Sequence, residues 1–163
     1  MYVQLKLRLD APVDAVSDAL TDPAVMVAVA GPLLQYRSEA PDGFPTRWST
    51  TPHPVSASLF GIVPLGRTRV DLDWHERHGA WVQTDTGRGQ TGTFLRMRIK
   101  HRMAVSPLGG GQTLLRDRLQ YKAGLLGIAL WPGLWVTWQW RAYRLRTLAP
   151  TWTAPEPHGA HAG

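Results

Sequence analysis

A single long helix near the carboxyl end restricts the possible folds of this chain more than any other feature. Between about residue 129 and residue 149, large apolar residues recur at helical spacing along one side. That side carries Leu130, Leu134, Trp138, Leu145 and Leu148, with Trp131, Trp135 and Ala142 beside them. A helix of about five turns is long enough to lie across a whole sheet. Its apolar side therefore requires a sheet that can cover it.

The amino-terminal segments predict one strand and two short helices. Residues 2–9 alternate between apolar and polar side chains, which is the period of a half-buried strand. Residues 13–20 change to helical spacing, and a second short helix is expected between Asp22, which can cap it, and Gly31. The predicted order is therefore strand, helix, helix.

Residues 33–121 have the pattern of antiparallel strands separated by turns. Turn signals lie at residues 41–43, 64–66, 77–79, 87–92 and 107–111, which predicts six or so further strands. Two apolar rows stand out along these strands: Val70, Leu72 and Trp74, and Leu95, Met97, Ile99, His101, Met103 and Val105. We predict an α+β fold in which a curved antiparallel sheet of about seven strands wraps around the long C-terminal helix. Two short helices follow the first strand, and a cavity is expected between helix and sheet.

Four stretches resemble the START-like or helix-grip superfamily, in the branch often labelled polyketide cyclase/dehydrase or SRPBCC ligand-binding proteins. They are LFGIVPLGR (59–67), RIKHRMAV (98–105), LLRDRLQYKAG (114–124) and WRAYRLRTLA (140–149), which are similar to stretches of many uncharacterised bacterial members. The order of predicted elements is also that of the superfamily. The resemblance covers residues 2 to about 149 and implies the fold and a cavity, but it implies no particular reaction.

Domain limits and location follow from the composition of the chain ends. We expect one START-like domain over residues 1–149 and a disordered tail over residues 150–163, which are rich in Pro, Ala and Gly. Residues 1–12 lack the apolar core of a signal peptide, which predicts a cytoplasmic protein. Residues 123–140 carry no charge, but they contain Pro132 and fall short of the roughly 20 apolar residues of a membrane span.

Composition also limits the chemistry. The chain has no cysteine, so disulfides, thiolate metal sites and thiol nucleophiles are excluded. The pairs His75-x-x-His78 and His158-x-x-His161 have no third ligand at suitable spacing, and we therefore expect no metal and no cofactor. His, carboxylates, hydroxyls and Arg are the remaining reactive groups.

His101 and Asp117 are the polar exceptions in two apolar rows. They lie on strands joined by the hairpin of residues 106–112 and are expected to be direct or near cross-strand neighbours. A buried Asp needs a hydrogen-bond donor, which His can supply. The pair is either a satisfied polar contact that fixes the strand register or a ligand-orienting or acid/base dyad in the cavity.

The expected ligand contacts surround this pair. We predict that a cavity ligand meets the following residues: Met97, Ile99, His101, Met103, Asp117, Leu119, Tyr121, Trp74, Trp135 and Trp138. The aromatic members are expected to form apolar walls.

The opposite faces of the same strands are basic. Because side chains alternate across a strand, Arg96, Arg98, Lys100 and Arg102 must point away from the helix, as must Arg116, Arg118 and Lys122 on the next strand. With a net charge of +6, this face is either a solvated surface or a docking site for an anionic membrane. No aromatic residues are interleaved for base stacking, so we expect no nucleic-acid partner.

Three functions are compatible with these features. The first is binding or transport of a small hydrophobic molecule or lipid in the cavity. The second is a cyclase or dehydrase in which His101 shuttles a proton and Asp117 orients it, and the third is a peripheral membrane or partner-docking module. The ligand and the oligomeric state are not determined by the sequence, nor is the choice between enzyme and binding protein.

Overall fold

The computed structural model describes residues 1–95 and 97–154, so Arg96 and residues 155–163 lie outside the description. The strands are β1 (Tyr2–Leu9), β2 (Leu34–Ser38), β3 (His53–Leu59), β4 (Val63–Val70), β5 (Leu72–Arg77), β6 (Ala80–Asp85), β7 (Arg98–Gly109) and β8 (Gln112–Lys122). The helices are α1 (Val13–Leu20), α2 (Pro23–Ala30), α3 (Gly92–Leu95) and α4 (Leu126–Leu148), followed by a 3-10 turn at Ala149–Thr151. The predicted α+β helix-grip class is confirmed, including the long C-terminal helix and the two short helices after the first strand.

The strands form two hydrogen-bonded groups. Five strands lie in the order β1-β8-β7-β6-β5 and three in the order β2-β3-β4, all antiparallel to their neighbours. The segment of residues 86–91 runs along β4, where the Arg69 amide donates to the Arg88 carbonyl at 3.3 Å and the Gln90 amide to the Arg67 carbonyl at 2.8 Å. The described residues therefore contain eight strands in two linked groups rather than about seven in one sheet.

The core lies between the five-stranded group and the carboxyl half of α4. Trp138, Ala142 and Leu145 are buried there, and Leu145 is fully enclosed. β1 contributes every second residue, because Val3, Leu5, Leu7 and Leu9 are all buried. The alternation in residues 2–9 thus predicts the buried face of the first strand correctly.

The amino half of α4 is far less covered than the sequence suggests. Trp131 is 39% exposed and Trp135 is 46% exposed, although Leu130 and Leu134 next to them border the cavity. Successive side chains on a helix point about 100° apart. Trp131 and Trp135 each follow a cavity-lining Leu by one position, so they point away from the interior. The described residues contain no helix with the length and hydropathy that a membrane span requires.

Residues 92–95 form a short helix, and the prediction of one strand over residues 94–105 is wrong for its first part. β7 begins only at Arg98, and Leu95 is 65% exposed instead of lying in the inner row. The chain here passes directly over β4: a Cβ on Gly66, which has φ +115°, would lie 2.1 Å from the Thr91 carbonyl oxygen. Such a close crossing depends on the position of β4, which the local alternation cannot reveal.

Residues on both sides of the predicted boundary at residue 149 contact the core. Ala149 is fully buried, and Trp152 packs against the main core cluster. The predicted disordered tail falls mostly on residues 155–163, which lie outside the described residues. The His158-x-x-His161 pair is in the same segment.

Candidate functional site

The inner face of three neighbouring strands carries a band of polar residues. In antiparallel pairing, residues directly opposite each other point to the same face of the sheet. One row across β6, β7 and β8 is Gln83, Met103 and Asp117, and the adjacent row is Asp85, His101 and Leu119. Four of these six positions are polar. We call Gln83, Asp85, His101 and Asp117, together with Arg141 from α4, the polar band.

The structure brings His101 and Asp117 together. His101 pairs with Leu119 and Asp117 with Met103, so the two are diagonal neighbours two residues out of register. His101 Nε2 lies 2.6 Å from Asp117 Oδ1, and the rings of His101 and Trp138 stand at 77° to each other with centroids 5.5 Å apart. The expectation of near cross-strand neighbours is confirmed, whereas a role of the pair in catalysis or ligand contact stays a prediction.

Arg141 is a third member of this cluster, which the sequence reasoning missed. Its Nε donates to Asp117 Oδ2 at 2.7 Å, and its side chain is only 12% exposed. A signal was present in the sequence: residue 141 follows Trp138 by three positions and precedes Leu145 by four. It therefore lies on the buried side of the helix, where an Arg requires a partner.

Asp117 is fully buried and held as a carboxylate. Burial by itself would raise the pKa of its carboxyl, but the charges of His101 and Arg141 and their hydrogen bonds outweigh burial and hold the pKa well below its usual range. A carboxylate only accepts hydrogen bonds, so His101 Nε2 must carry the proton in their contact. In a neutral His101, Nδ1 is then the nitrogen with a free lone pair.

Asp85 has the opposite electrostatic environment. Its Oδ1 accepts hydrogen bonds from the amides of Asp71 at 3.0 Å and Gly87 at 2.8 Å. Burial raises the pKa of the Asp85 carboxyl above its usual value, against the effects of these two hydrogen bonds and of His101. The phenol of Tyr36 interacts electrostatically with Asp85. Its pKa is raised, and burial is the main cause. Sequence reasoning identified neither residue.

All members of the polar band except Asp117 form part of the wall of a cavity of about 330 Å³ between α4, α2 and both groups of strands. Most of the wall is apolar, with Val29, Val55, Val70, Leu72 and Phe94 among its residues. Gln83, Asp85, His101 and Arg141 also line it, as do Tyr36 and Arg69. The cavity therefore offers a mainly apolar surface with a few hydrogen-bonding groups gathered in one region.

Six of the predicted ligand-contact residues line this cavity, and four do not. The six are Met97, Ile99, His101, Met103, Leu119 and Trp138. Asp117 is completely buried and bonded to His101 and Arg141, which do line the cavity, while Trp74 packs on the second core cluster. Trp135 is half exposed, and the Tyr121 hydroxyl donates to the Gly127 carbonyl at 3.0 Å.

Within residues 1–95 and 97–154, no three His, Asp or Glu side chains come together as possible ligands.

Comparison with known proteins identifies the fold but no sequence family. No protein-family model matches the chain, and no curated protein is similar to it in sequence. Among solved structures, the Zhui aromatase/cyclase from Streptomyces sp. R1128 is similar with a TM-score of 0.62 and 11% identity, covering 92% of this chain and 93% of the other. Norcoclaurine synthase from Thalictrum flavum, in complex with dopamine and hydroxybenzaldehyde, has a TM-score of 0.61 and 8% identity, covering 95% and 89%.

A third similar structure is a hypothetical protein from Helicobacter pylori, with a TM-score of 0.66, 12% identity and coverage of 91% and 88%. At such low identities these similarities establish the helix-grip fold alone. The narrower resemblance to polyketide cyclase/dehydrase-type proteins stays a prediction from the sequence.

Proposed function

We propose that this protein binds a small, mainly apolar molecule in its internal cavity. The observation that carries the proposal is the composition of the cavity wall, which is apolar except for the polar band and a few side chains beside it. Ligand sites in proteins typically have this character, with a few polar groups that fix the orientation of an apolar molecule. Arg141 and His101 are the groups best suited to orient a carbonyl, hydroxyl or carboxylate oxygen.

The cavity volume favours a small ligand. About 330 Å³ lies at the low end of the range of roughly 300 to 1,000 Å³ for small-molecule sites. A two-chain lipid would not fit within it. Norcoclaurine synthase holds dopamine and hydroxybenzaldehyde, which are single-ring aromatic molecules, and a ligand of similar size is compatible with this cavity.

Solvent extraction of the purified protein followed by mass spectrometry tests the proposal. Thr137 lines the cavity one helical turn before Arg141, so Thr137→Trp should fill the space beside the polar band. We expect a stoichiometric apolar compound from the wild type and from Thr137→Val, and none from Thr137→Trp. Equal recovery from all three proteins would contradict binding in this cavity, provided that their thermal unfolding shows that all are folded.

A second candidate function is acid/base catalysis by His101. The observation that favours it is the contact of Nε2 with Asp117, which is the usual way in which a carboxylate fixes the tautomer of a catalytic histidine. His101→Gln keeps a hydrogen bond to Asp117 but cannot carry a proton at neutral pH. On a substrate identified from the extraction, this variant should bind normally and lose turnover by at least about 100-fold. Turnover that survives the substitution would remove His101 from the mechanism.

A further inference from the structure

Large apolar side chains are exposed at one end of the domain, on three segments that are distant in sequence. The most exposed are Leu125, at 86%, and Ile62, at 82%. We call the full set the apolar rim: Phe60, Ile62 and Val63 at the turn between β3 and β4, Leu95 at the end of α3, and Leu125, Leu126 and Ile128 around the start of α4. Single exposed apolar residues are normal, but a concentration of them marks a binding surface.

Contacts between these segments place them at the same end. The chain before α3 crosses the start of β4, since a Cβ on Gly92 would lie 2.5 Å from the Leu65 carbonyl oxygen. α3 leads into β7, whose first residue, Arg98, pairs with Lys122 at the end of β8. α4 begins shortly after Lys122. The turn between β3 and β4, α3 and the start of α4 are therefore neighbours.

The apolar rim borders the internal cavity. Each part of it adjoins a residue of the cavity wall: Leu59 precedes the turn between β3 and β4, Phe94 precedes the exposed residue of α3, and Leu130 lies in the first turns of α4. These three residues line one cavity of about 330 Å³. The exposed residues beside them consequently lie around one side of that cavity.

Phe60 has a backbone conformation that a phenylalanine rarely adopts. Its φ is +53° and that of Gly61 is +73°, in a tight turn that the Ile62 amide closes by donating to the Leu59 carbonyl at 3.0 Å. Such turns favour Asn, Asp or Gly, because a bulky side chain is strained at positive φ. The residue is also 53% exposed, so its ring gains little from packing. The fold of the hairpin does not explain a phenylalanine here, whereas a function of the exposed ring does.

The segments that carry the apolar rim contain no acidic residue. Asp and Glu are absent from residues 43–70, 86–116 and 118–155. Positive charge lies beside the rim, because Arg88 forms an isolated bridge with Arg98, and Arg98 pairs with Lys122 across β7 and β8. All three are exposed, and none has a carboxylate within 4.0 Å among the residues that the structure describes. A row of three cations therefore accompanies the rim.

An anionic bilayer matches this combination better than a second copy of the chain. In a symmetric contact between two copies, the cations of one acid-free rim would find no carboxylate on the other. A bilayer accepts apolar side chains below its headgroups, and anionic headgroups attract Lys and Arg beside them. Insertion would be shallow, because no helix within residues 1–95 and 97–154 is long and apolar enough to span a membrane.

We propose that the apolar rim inserts into the surface of an anionic bilayer while Arg88, Arg98 and Lys122 contact lipid phosphates. The proposal goes beyond ligand binding and does not depend on it, because docking requires no ligand in the cavity. If the cavity binds a ligand as proposed above, a small apolar molecule dissolved in the bilayer can reach it past the rim without crossing water.

Sedimentation of the full chain with lipid vesicles tests the proposal. We expect binding to phosphatidylcholine vesicles that contain about 30% phosphatidylserine, and binding at least about 10-fold weaker to phosphatidylcholine alone. Raising the salt concentration from about 50 to 300 mM should weaken binding without abolishing it, because salt screens the cations but not the apolar contribution.

Variants locate the binding at the rim. Phe60→Asn and Leu125→Asn each remove one inserted side chain and should each weaken binding about 10-fold. Phe60→Asn should also be at least as stable to heat as the wild type, because Asn suits the positive φ of this turn. Leu108→Asn is the matched control, since Leu108 is exposed at the other end of β7 from Arg98. This control should bind vesicles as the wild type does.

The outcomes distinguish this surface from its alternatives. Docking at the rim is wrong if the wild type does not sediment with anionic vesicles, or if Phe60→Asn and Leu125→Asn bind as tightly as Leu108→Asn. Binding that the rim variants retain and the double variant Arg102→Gln with Arg116→Gln loses would assign docking to another face. A wild-type dimer that Leu125→Asn dissociates, seen by sedimentation velocity, would make the rim an interface between copies. The ligand extraction tests the proposed function separately, so either proposal can fail while the other stands.

Discussion

The inner and outer faces of β7 and β8 carry charged residues under opposite conditions. On the inner face, Asp117 is fully buried and has two hydrogen-bonding neighbours within 2.7 Å, His101 and Arg141. On the outer face, Arg102 and Arg116 are exposed, and neither has a carboxylate within 4.0 Å among the described residues. One pair of strands thus holds a closely paired cluster of charges on one side and unpaired charges on the other.

The difference shows where charge has consequences for this fold. A buried ion requires partners because removing it from water costs several kcal/mol, whereas an exposed Arg retains its hydration and interacts weakly with its neighbours. The number of charges on a strand is therefore a poor guide to function here. The few inner residues are expected to determine stability and ligand binding, and the many outer residues are expected to contribute little to either.

The largest effect is expected from removing Arg141. Arg141→Met removes the guanidinium that pairs with the buried Asp117 carboxylate and leaves that carboxylate bonded to His101, so we expect a loss of about 3–5 kcal/mol in the free energy of unfolding. Urea denaturation followed by circular dichroism measures it. The double variant Arg141→Met with Asp117→Leu removes both charges and should recover much of the loss. If Arg141→Met were as stable as Arg116→Met, the proposed difference between inner and outer charges would be wrong.

The next effect is a dependence of stability on acid pH. Because the pKa of Asp117 is lower in the folded than in the unfolded protein, its contribution is complete above the unfolded pKa of about 3.9 and is lost as the pH falls through the lower folded value. We expect wild-type stability relative to Asp117→Asn to be constant from pH 7 to about pH 5 and to decrease below about pH 4. Denaturation curves across this range check it, and parallel pH profiles would contradict it.

Asp85 is also on the inner face, but its contribution to stability should depend on pH in the opposite direction from that of Asp117. Its pKa is raised in the folded protein, so its contribution is complete below the unfolded pKa and is lost as the pH rises through the folded value. Asp85→Asn can still accept the two backbone hydrogen bonds from Asp71 and Gly87. We therefore expect this variant to be modestly more stable than the wild type at pH 7 and equal to it at pH 3. A loss of stability at pH 7 would contradict this assignment.

The smallest effects are expected on the outer face. Arg102→Gln and Arg116→Gln should each change the free energy of unfolding by less than about 0.5 kcal/mol. Arg118 is a matched contrast, since its guanidinium lies 4.5 Å from the centre of the Tyr2 ring, and Arg118→Gln should cost about 0.5–1 kcal/mol. Effects as large as that of Arg141→Met would show that the outer charges are coupled to the fold.

The membrane-docking alternative concerns the same outer face. If this face docks to membranes, the protein should sediment with vesicles rich in anionic lipid. Binding should weaken steeply between about 50 and 300 mM salt, because near physiological salt the Debye screening length is only about 8–10 Å. The double variant Arg102→Gln with Arg116→Gln should weaken it further. Binding that is insensitive to both salt and these substitutions would exclude docking through the outer face.

Much of the fold could be predicted because its signals are local. Alternation along a strand identifies the buried residues Met103, Val105, Leu115 and Leu119 without knowledge of any neighbour, and the turn at residues 107–111 places His101 near Asp117. The same reasoning failed at Leu95, where the crossing of residues 91–95 over β4 replaces the expected strand with a short helix. Local alternation cannot report the contact of Thr91 with Gly66 on an earlier strand.

The sequence by itself determined the secondary structure of most of the chain, the faces of the strands and the pairing of His101 with Asp117. These properties depend on side-chain period and on a short hairpin, both of which are encoded within a few residues. Only the tertiary structure decided that Arg141 meets the other oxygen of Asp117, that Asp85 and Gln83 complete the polar band, and that Trp135 faces outward. Those contacts depend on the register between β6 and β7 and on the rotation of α4 over the sheet, and both are set by packing between distant segments.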